Sequence, residues 1–124
     1  TRDREHPVMK GLPAEWMHPK DELYHGQRGP ANHMNILATA FSSKESGGTG
    51  EHEPMVWWIP AGKGRVVTSL LGHVGREQQE ETWCMRCAGF QAILTRGTEW
   101  AATGDVTIPL PKELPTAEKV SLLP

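Results

Sequence analysis

Cysteine is scarce: Cys84 and Cys87 are the only two in 124 residues, too few for a disulfide framework. Long apolar runs are absent as well. The longest reach about five residues, against the roughly 20 that a membrane helix needs, so no membrane partner is expected. Charge of one sign is missing too, with 13 basic and 15 acidic side chains giving a net charge of −2. The basic residues are scattered, with no stripe that tracks a phosphate backbone, and nucleic acid is not expected as a partner. The opening Thr1-Arg2-Asp3-Arg4-Glu5 has neither an initiating Met nor an apolar leader core. It reads as an entry point within a longer polypeptide, which leaves the compartment open.

What is present suits one small domain. Hydrophobic residues make up 37% of the chain and charged residues 23%, enough for a single packed core. Residues 1–34 hold Pro7, Pro13, Pro19 and Pro30 and four of the six histidines, with no lasting helical or strand period. They read as loop, with a short extended piece at Asp21 to Tyr24. Asn35 to Phe41 is a compact apolar run that predicts a buried strand. Ser42 to Gly50, rich in Ser and Gly, reads as a mobile loop. Pro54 to Pro60 and Arg65 to Leu71 are β-rich runs around a glycine-containing turn, a hairpin signal with the prolines at strand ends.

The spacing of Trp83, Cys87, Phe90, Leu94, Gly97 and Ala101, with Ile93 and Trp100 adjoining, predicts one helix over 82–103. Thr82 is the expected N-cap beside Glu80 and Glu81, and Gly104 the stop. Gly97 inside that helix costs about 1 kcal/mol against Ala, which points to close packing there. The tail from Asp105 holds Pro109, Pro111, Pro115 and Pro124 and reads as an extended Pro-rich strap over 105–124.

Several of these pieces occur in a recognisable order. His6-Pro7, Gly11-Leu12-Pro13, Asp21-Glu22-Leu23-Tyr24 and Leu37-Ala38-Thr39-Ala40 come first. Glu53-Pro54 with Trp57, Gly62-Lys63-Gly64-Arg65-Val66, Leu71-Gly72-His73 and the helix from Phe90 to Trp100-Ala101-Ala102 follow. The set resembles the C-terminal half of ThuA-like (trehalose utilisation) domains, with residues 1–104 as that half. The resemblance implies an α/β fold: a partial flavodoxin-like layered sheet of the class I glutamine amidotransferase-like type, with a β-hairpin and a long C-terminal helix. It also implies handling of a small-molecule sugar, trehalose or an oxidised keto sugar, by a hydrolase or related enzyme. The first parallel strands and their helices have no counterpart in the chain. Such a sheet leaves an edge and an apolar face open, so a homo-oligomer or association with a missing N-terminal half is expected. The amidotransferase nucleophile also has no counterpart, since both cysteines fall in or at the start of the late helix. Glutaminase activity is not expected.

Residue chemistry supplies the candidates for a site. His73 follows a β-run and a glycine, at the strand end where open α/β sheets bind ligands, and its imidazole titrates near neutral pH. The resemblance sets it near the amidotransferase histidine, as acid/base; a strand-capping histidine is the plainer reading. Glu22 and Tyr24, two apart on an extended segment, point to one side and suit sugar hydroxyls or proton transfer. Glu22 is taken as catalytic with His73, and Tyr24, His52 and Trp58 as substrate-binding. Glu51-His52-Glu53 offers donors for a divalent metal such as zinc, with His25, His33 or His73 completing a set of which His52, Glu53 and His73 are the chosen members. The alternative for that tripeptide is a polar loop anchor. Trp57 and Trp58 alternate, so that one faces outward and can stack on a sugar ring or pack on a partner. Trp83-Cys84-Met85-Arg86-Cys87 has redox-motif spacing but follows the polar run Arg76 to Glu81 instead of an apolar strand. Gly62-Lys63-Gly64 lacks the Ser/Thr and helix of a phosphate cradle and reads as a turn.

Overall fold

A computed structural model of the chain describes residues 1–29, 32–75 and 83–124. Three strands, β1 (Asn35–Phe41), β2 (His52–Ala61) and β3 (Gly64–Ser69), form an antiparallel sheet in the order β1-β2-β3. Two helices follow, α1 (Trp83–Arg86) and α2 (Ala88–Thr103). The architecture is mixed α/β, and the hairpin and β1 lie where the residue pattern put them. The expected cap Thr82 with Glu80 and Glu81, like the polar run from Arg76, lies outside the described residues.

The pairing of β1 with β2 carries two compensating irregularities. Ile36 faces Trp57 and Ala38 faces Val56, which leaves Leu37 extra on β1; Thr39 then faces Pro54, which leaves Met55 extra on β2. Both extra side chains are buried in the core. The Leu37 carbonyl is taken up by the backbone N–H of Arg2 at 2.7 Å, so the chain start pairs with the irregular strand. Only Leu37 and Ala38 of β1 are fully buried, and Phe41 is 56% exposed. The strand expected to be buried is therefore only half so. The prolines fall inside β2, not at its ends. Each sits where β2 has one neighbour, Pro54 beside β1 and Pro60 beside β3, so a missing N–H can face the open side.

Ser42 to Gly50 is closed by hydrogen bonds, against the expectation of a mobile loop. Ser42 N–H donates to Glu51 O (2.9 Å), Gly50 N–H to Ser42 O (2.7 Å) and Gly48 N–H to Ser43 O (2.8 Å). Ser42 is itself buried, and a 3₁₀ turn over Lys44–Ser46 is capped by the Ser43 hydroxyl.

The expected single helix is broken at Cys87, whose backbone is extended (φ −59°, ψ 123°). The cause is far away in sequence. Cys87 bridges to Leu122, Ala88 N–H donates to Ser121 O (2.9 Å) and Leu123 N–H to Arg86 O (2.8 Å). The C-terminal residues thus take hydrogen-bonding groups that a continuous helix would use itself. Beyond the break, α2 buries Gly89, Phe90, Ile93, Arg96, Gly97 and Trp100, while Leu94 and Trp83 lie outside. The buried stripe is therefore rotated by one position from that predicted. Gly97 has the expected close contact, since a Cβ there would lie 3.1 Å from Val67 Cγ1. Gly104 ends α2 in the left-handed conformation (φ 85°), donating to Trp100 O. The core joins Val8, Met9 and Leu12 to Leu37, Met55, Val56, Ile93 and Trp100. Residues of the Pro-rich tail take part in the packing: Leu110 and Leu114 pack on the core and Pro115 is fully buried.

Candidate functional site

Just past β3 the chain turns through Leu70, Leu71 and Gly72 to His73. Gly72 has φ +95°, and a Cβ there would lie 2.7 Å from Phe90 Cζ, so both backbone and space demand glycine. His73 is then held at three points. Its N–H donates to Asp21 Oδ1 (3.1 Å), its carbonyl accepts from the Cys84 thiol (3.2 Å), and its Nδ1 lies 3.0 Å from the Tyr24 hydroxyl. Tyr24 in turn donates to Glu22 Oε2 at 2.5 Å, and Glu22 Oε1 lies 3.5 Å from His73 Nε2. His73, Tyr24 and Glu22, separated by about 50 residues of sequence, thus form one cluster at the surface. The imidazole is 35% exposed, which leaves it open to a ligand.

Proton counting assigns the roles. The Tyr24 hydroxyl donates to Glu22 Oε2. The phenol's single proton is committed there, so its oxygen accepts from His73 Nδ1–H. Nε2 is left as the nitrogen facing Glu22 and solvent. The hydrogen bond to Glu22, with smaller contributions from desolvation and the Glu22 and Asp21 charges, raises the Tyr24 pKa and keeps the phenol neutral.

Asp21, which the sequence reading passed over, positions this cluster. Its carboxylate is only 6% exposed. It accepts from Gly72 N–H (2.7 Å), His73 N–H (3.1 Å), Glu22 N–H (2.8 Å) and His18 Nε2 (2.6 Å). A signal was available. On an extended piece Asp21 and Leu23 share one face and Glu22 and Tyr24 the other, and an apolar Leu23 marks the Asp21 face as inward. Arg96 was also missed, as a polar residue on a helix stripe. It is buried and donates to Lys10 O (2.9 Å) and Pro7 O (2.8 Å), fixing the first loop.

Other candidates lie apart from the cluster. The expected metal set of His52, Glu53 and His73 is not brought together. His52 and Glu53 are consecutive on β2 and point to opposite faces. Glu53 accepts from the Thr49 hydroxyl (2.7 Å), whereas His52 packs edge-on to Phe41 near Thr39. Among the described residues no three His, Cys, Asp or Glu side chains are arranged to hold a metal ion, so the donor set does not fit zinc. Trp58, expected to bind substrate, is half-buried and packs against the core, its ring 5.1 Å from Trp100 and 6.1 Å from His6. Cys84 and Cys87 are both buried, and burial raises both thiol pKa values, so neither suits thiolate chemistry.

Fold and site together define a mixed α/β domain that presents a His–Tyr–Glu cluster at the end of an antiparallel hairpin. The family model described as trehalose utilisation, ThuA, matches residues 1–101. A crystal structure of a ThuA-like protein from Parabacteroides merdae matches with a TM-score of 0.89 and 49% sequence identity. The match covers 98% of this chain and 43% of that one, so the chain spans less than half the length of this relative. No curated protein matches the chain. The chain belongs to the ThuA family, whose model is described as trehalose utilisation. Among the described residues no helix is long and apolar enough to cross a membrane.

Proposed function

We propose that this domain acts on a sugar, trehalose or an oxidised keto derivative, with His73 as general base and Glu22 as its electrostatic partner. The observation that carries the reading is the closed contact of His73 with both Tyr24 and Glu22. Tyr24 holds the imidazole in the Nδ1–H tautomer, which leaves the Nε2 lone pair to take a proton from a sugar hydroxyl or from carbon beside a keto group. Glu22, 3.5 Å from Nε2, stabilises the imidazolium that forms. On the keto sugar the electron pair of the broken C–H bond forms a C=C bond as the C–O bond on the next carbon breaks, and the proton passes from the same nitrogen to the leaving oxygen. No metal enters this scheme.

A second reading has its own support. The chain spans 43% of its structural relative, which favours a sugar-binding or assembly module within a longer enzyme. On that reading the flavodoxin-like layering belongs to the whole protein, residues 1–104 are its C-terminal half and 105–124 its strap. The open sheet edge and the exposed Ile36 meet the other half or a second copy. Calorimetry with trehalose, glucose and a 3-keto glucoside, paired with product analysis, separates the two. Turnover lost in His73→Ala with the fold intact supports the enzyme reading. Binding without turnover supports the module, and neither binding nor turnover from folded protein defeats both.

A further inference from the structure

A second recognition surface lies on the outer side of β1. It is an open cleft of about 550 Å³, lined in part by Arg2, Glu15, Trp16, Thr39, Phe41 and His52. None of the cluster residues His73, Tyr24 and Glu22 lines it.

The polar groups of this cleft form a chain with one direction. Arg2 Nε–H donates to Thr39 Oγ1 at 2.9 Å, and Thr39 Oγ1 lies 3.4 Å from His52 Nδ1. Having accepted from arginine, the Thr39 hydroxyl has its own hydrogen to offer His52 Nδ1, and in that arrangement a neutral ring carries its proton on Nε2. The edge-on contact with Phe41, 5.4 Å between centroids, steadies the ring. In that arrangement this side of the cleft offers donors: the two terminal nitrogens of Arg2 and Nε2–H of His52. Among the described residues Arg2 has no carboxylate partner. A guanidinium held through Nε keeps its Nη edge for bidentate contact with an anionic oxygen pair. Glu15 is the cleft's one lining carboxylate and is an acceptor alone, suited to hydroxyl donors. The Trp16 indole at the same wall offers an apolar face to a ring.

We infer that this cleft binds an anionic, polyhydroxylated ligand, a sugar bearing a carboxylate or a phosphate, with Arg2 and His52 on the anionic oxygens and Glu15 on hydroxyls. The anionic half of the inference rests on this geometry alone; the sugar half rests on the carbohydrate reading above. It is a site separate from the His73 cluster, whose three residues do not line it, and His18, bonded to the Asp21 clamp, stands between the two.

Isothermal titration of the whole chain with gluconate, glucose 6-phosphate, glucose, acetate and inorganic phosphate tests it. Variants Arg2→Gln, Thr39→Val and Lys63→Gln complete the set, the last removing a positive charge from the exposed β2–β3 turn. The expected result is saturable binding of gluconate or glucose 6-phosphate, at least about tenfold tighter than glucose. That binding should fall about tenfold or more in Arg2→Gln, as a lost charge-assisted pair predicts, and stay unchanged in Lys63→Gln. Whichever of the two sugars binds more tightly identifies the anion as carboxylate or phosphate. Thr39→Val keeps the charge but releases the guanidinium, so it should weaken binding by less than Arg2→Gln. Acetate or phosphate binding as tightly as the sugar anions would leave the anion site and refute its sugar half. Glucose binding as tightly as gluconate, equal losses in Arg2→Gln and Lys63→Gln, or no binding to folded protein would each overturn the proposal.

Discussion

Asp21→Ala removes the carboxylate that joins the residue 18–24 segment to the backbone of the turn after β3. Besides the exposed Glu22 N–H, three part-buried donors lose their acceptor: Gly72 N–H at 2.7 Å, His73 N–H at 3.1 Å and His18 Nε2 at 2.6 Å. Stripping a buried donor of its partner costs about 1–3 kcal/mol. The contributions are not additive, and water entering the gap recovers part, so the net loss should be about 3–5 kcal/mol. Urea unfolding followed by tryptophan fluorescence is the assay, in a chain small enough for two-state analysis. With a slope of about 2 kcal/mol per molar urea, the midpoint should fall by about 1.5–2.5 M. Asp21→Asn keeps an acceptor oxygen but turns the other position into a donor, so about half of the loss should remain. A midpoint shift below about 0.5 M for Asp21→Ala would refute the assignment of Asp21 as the clamp.

Gly72→Ala forces a side chain onto φ +95° and against the Phe90 ring, and should lower stability by about 2–4 kcal/mol in the same assay. Arg96→Met keeps the apolar stem but leaves the Pro7 and Lys10 carbonyls without their donor, for an expected loss of about 2–3 kcal/mol. Tyr24 is the sole tyrosine, so its ionisation can be read directly by ultraviolet titration. Tyrosinate should appear above the ordinary phenol range and move back toward it in Glu22→Gln. Burial lowers the His6 pKa, so the unfolded chain takes up the proton first. Stability should be complete above pH ~6.5 and decline as pH falls through the lowered folded value, with His6→Gln flattening that acid limb in pH-dependent unfolding.

Much of the local structure was legible because its causes are local. The Asn35–Phe41 strand, the hairpin around Gly62-Lys63, the Gly104 stop and the tight contact at Gly97 each follow from a few neighbouring residues. The meeting of Glu22, Tyr24 and His73 came from alternation on an extended segment together with the family resemblance. The misses have distant causes. No periodicity within 82–103 reports that Leu122 will pair with Cys87 and break the helix. A Trp-Trp pair states that its members diverge, but not that Trp58 will meet Trp100 and His6. His52 and Glu53 are neighbours in sequence, but the strand pleat sets their side chains on opposite faces.

The buried polar residues outside the cluster explain how a surface site stays organised on so little regular structure. Residues 6–24 supply Val8, Met9 and Leu12 to the core, yet no strand or helix of their own satisfies their backbone. Arg96 takes two of those carbonyls from α2. Met17 N–H finds the Thr116 carbonyl of the tail at 2.7 Å. Asp21 then carries the segment to Gly72 and His73. The position of the His73 ring relative to Glu22 and Tyr24 thus depends on side chains outside the cluster. Changes at Asp21 or Arg96 should therefore disturb the site as much as changes within it, while a substitution at the exposed Leu94, on the outer face of α2, should leave it alone.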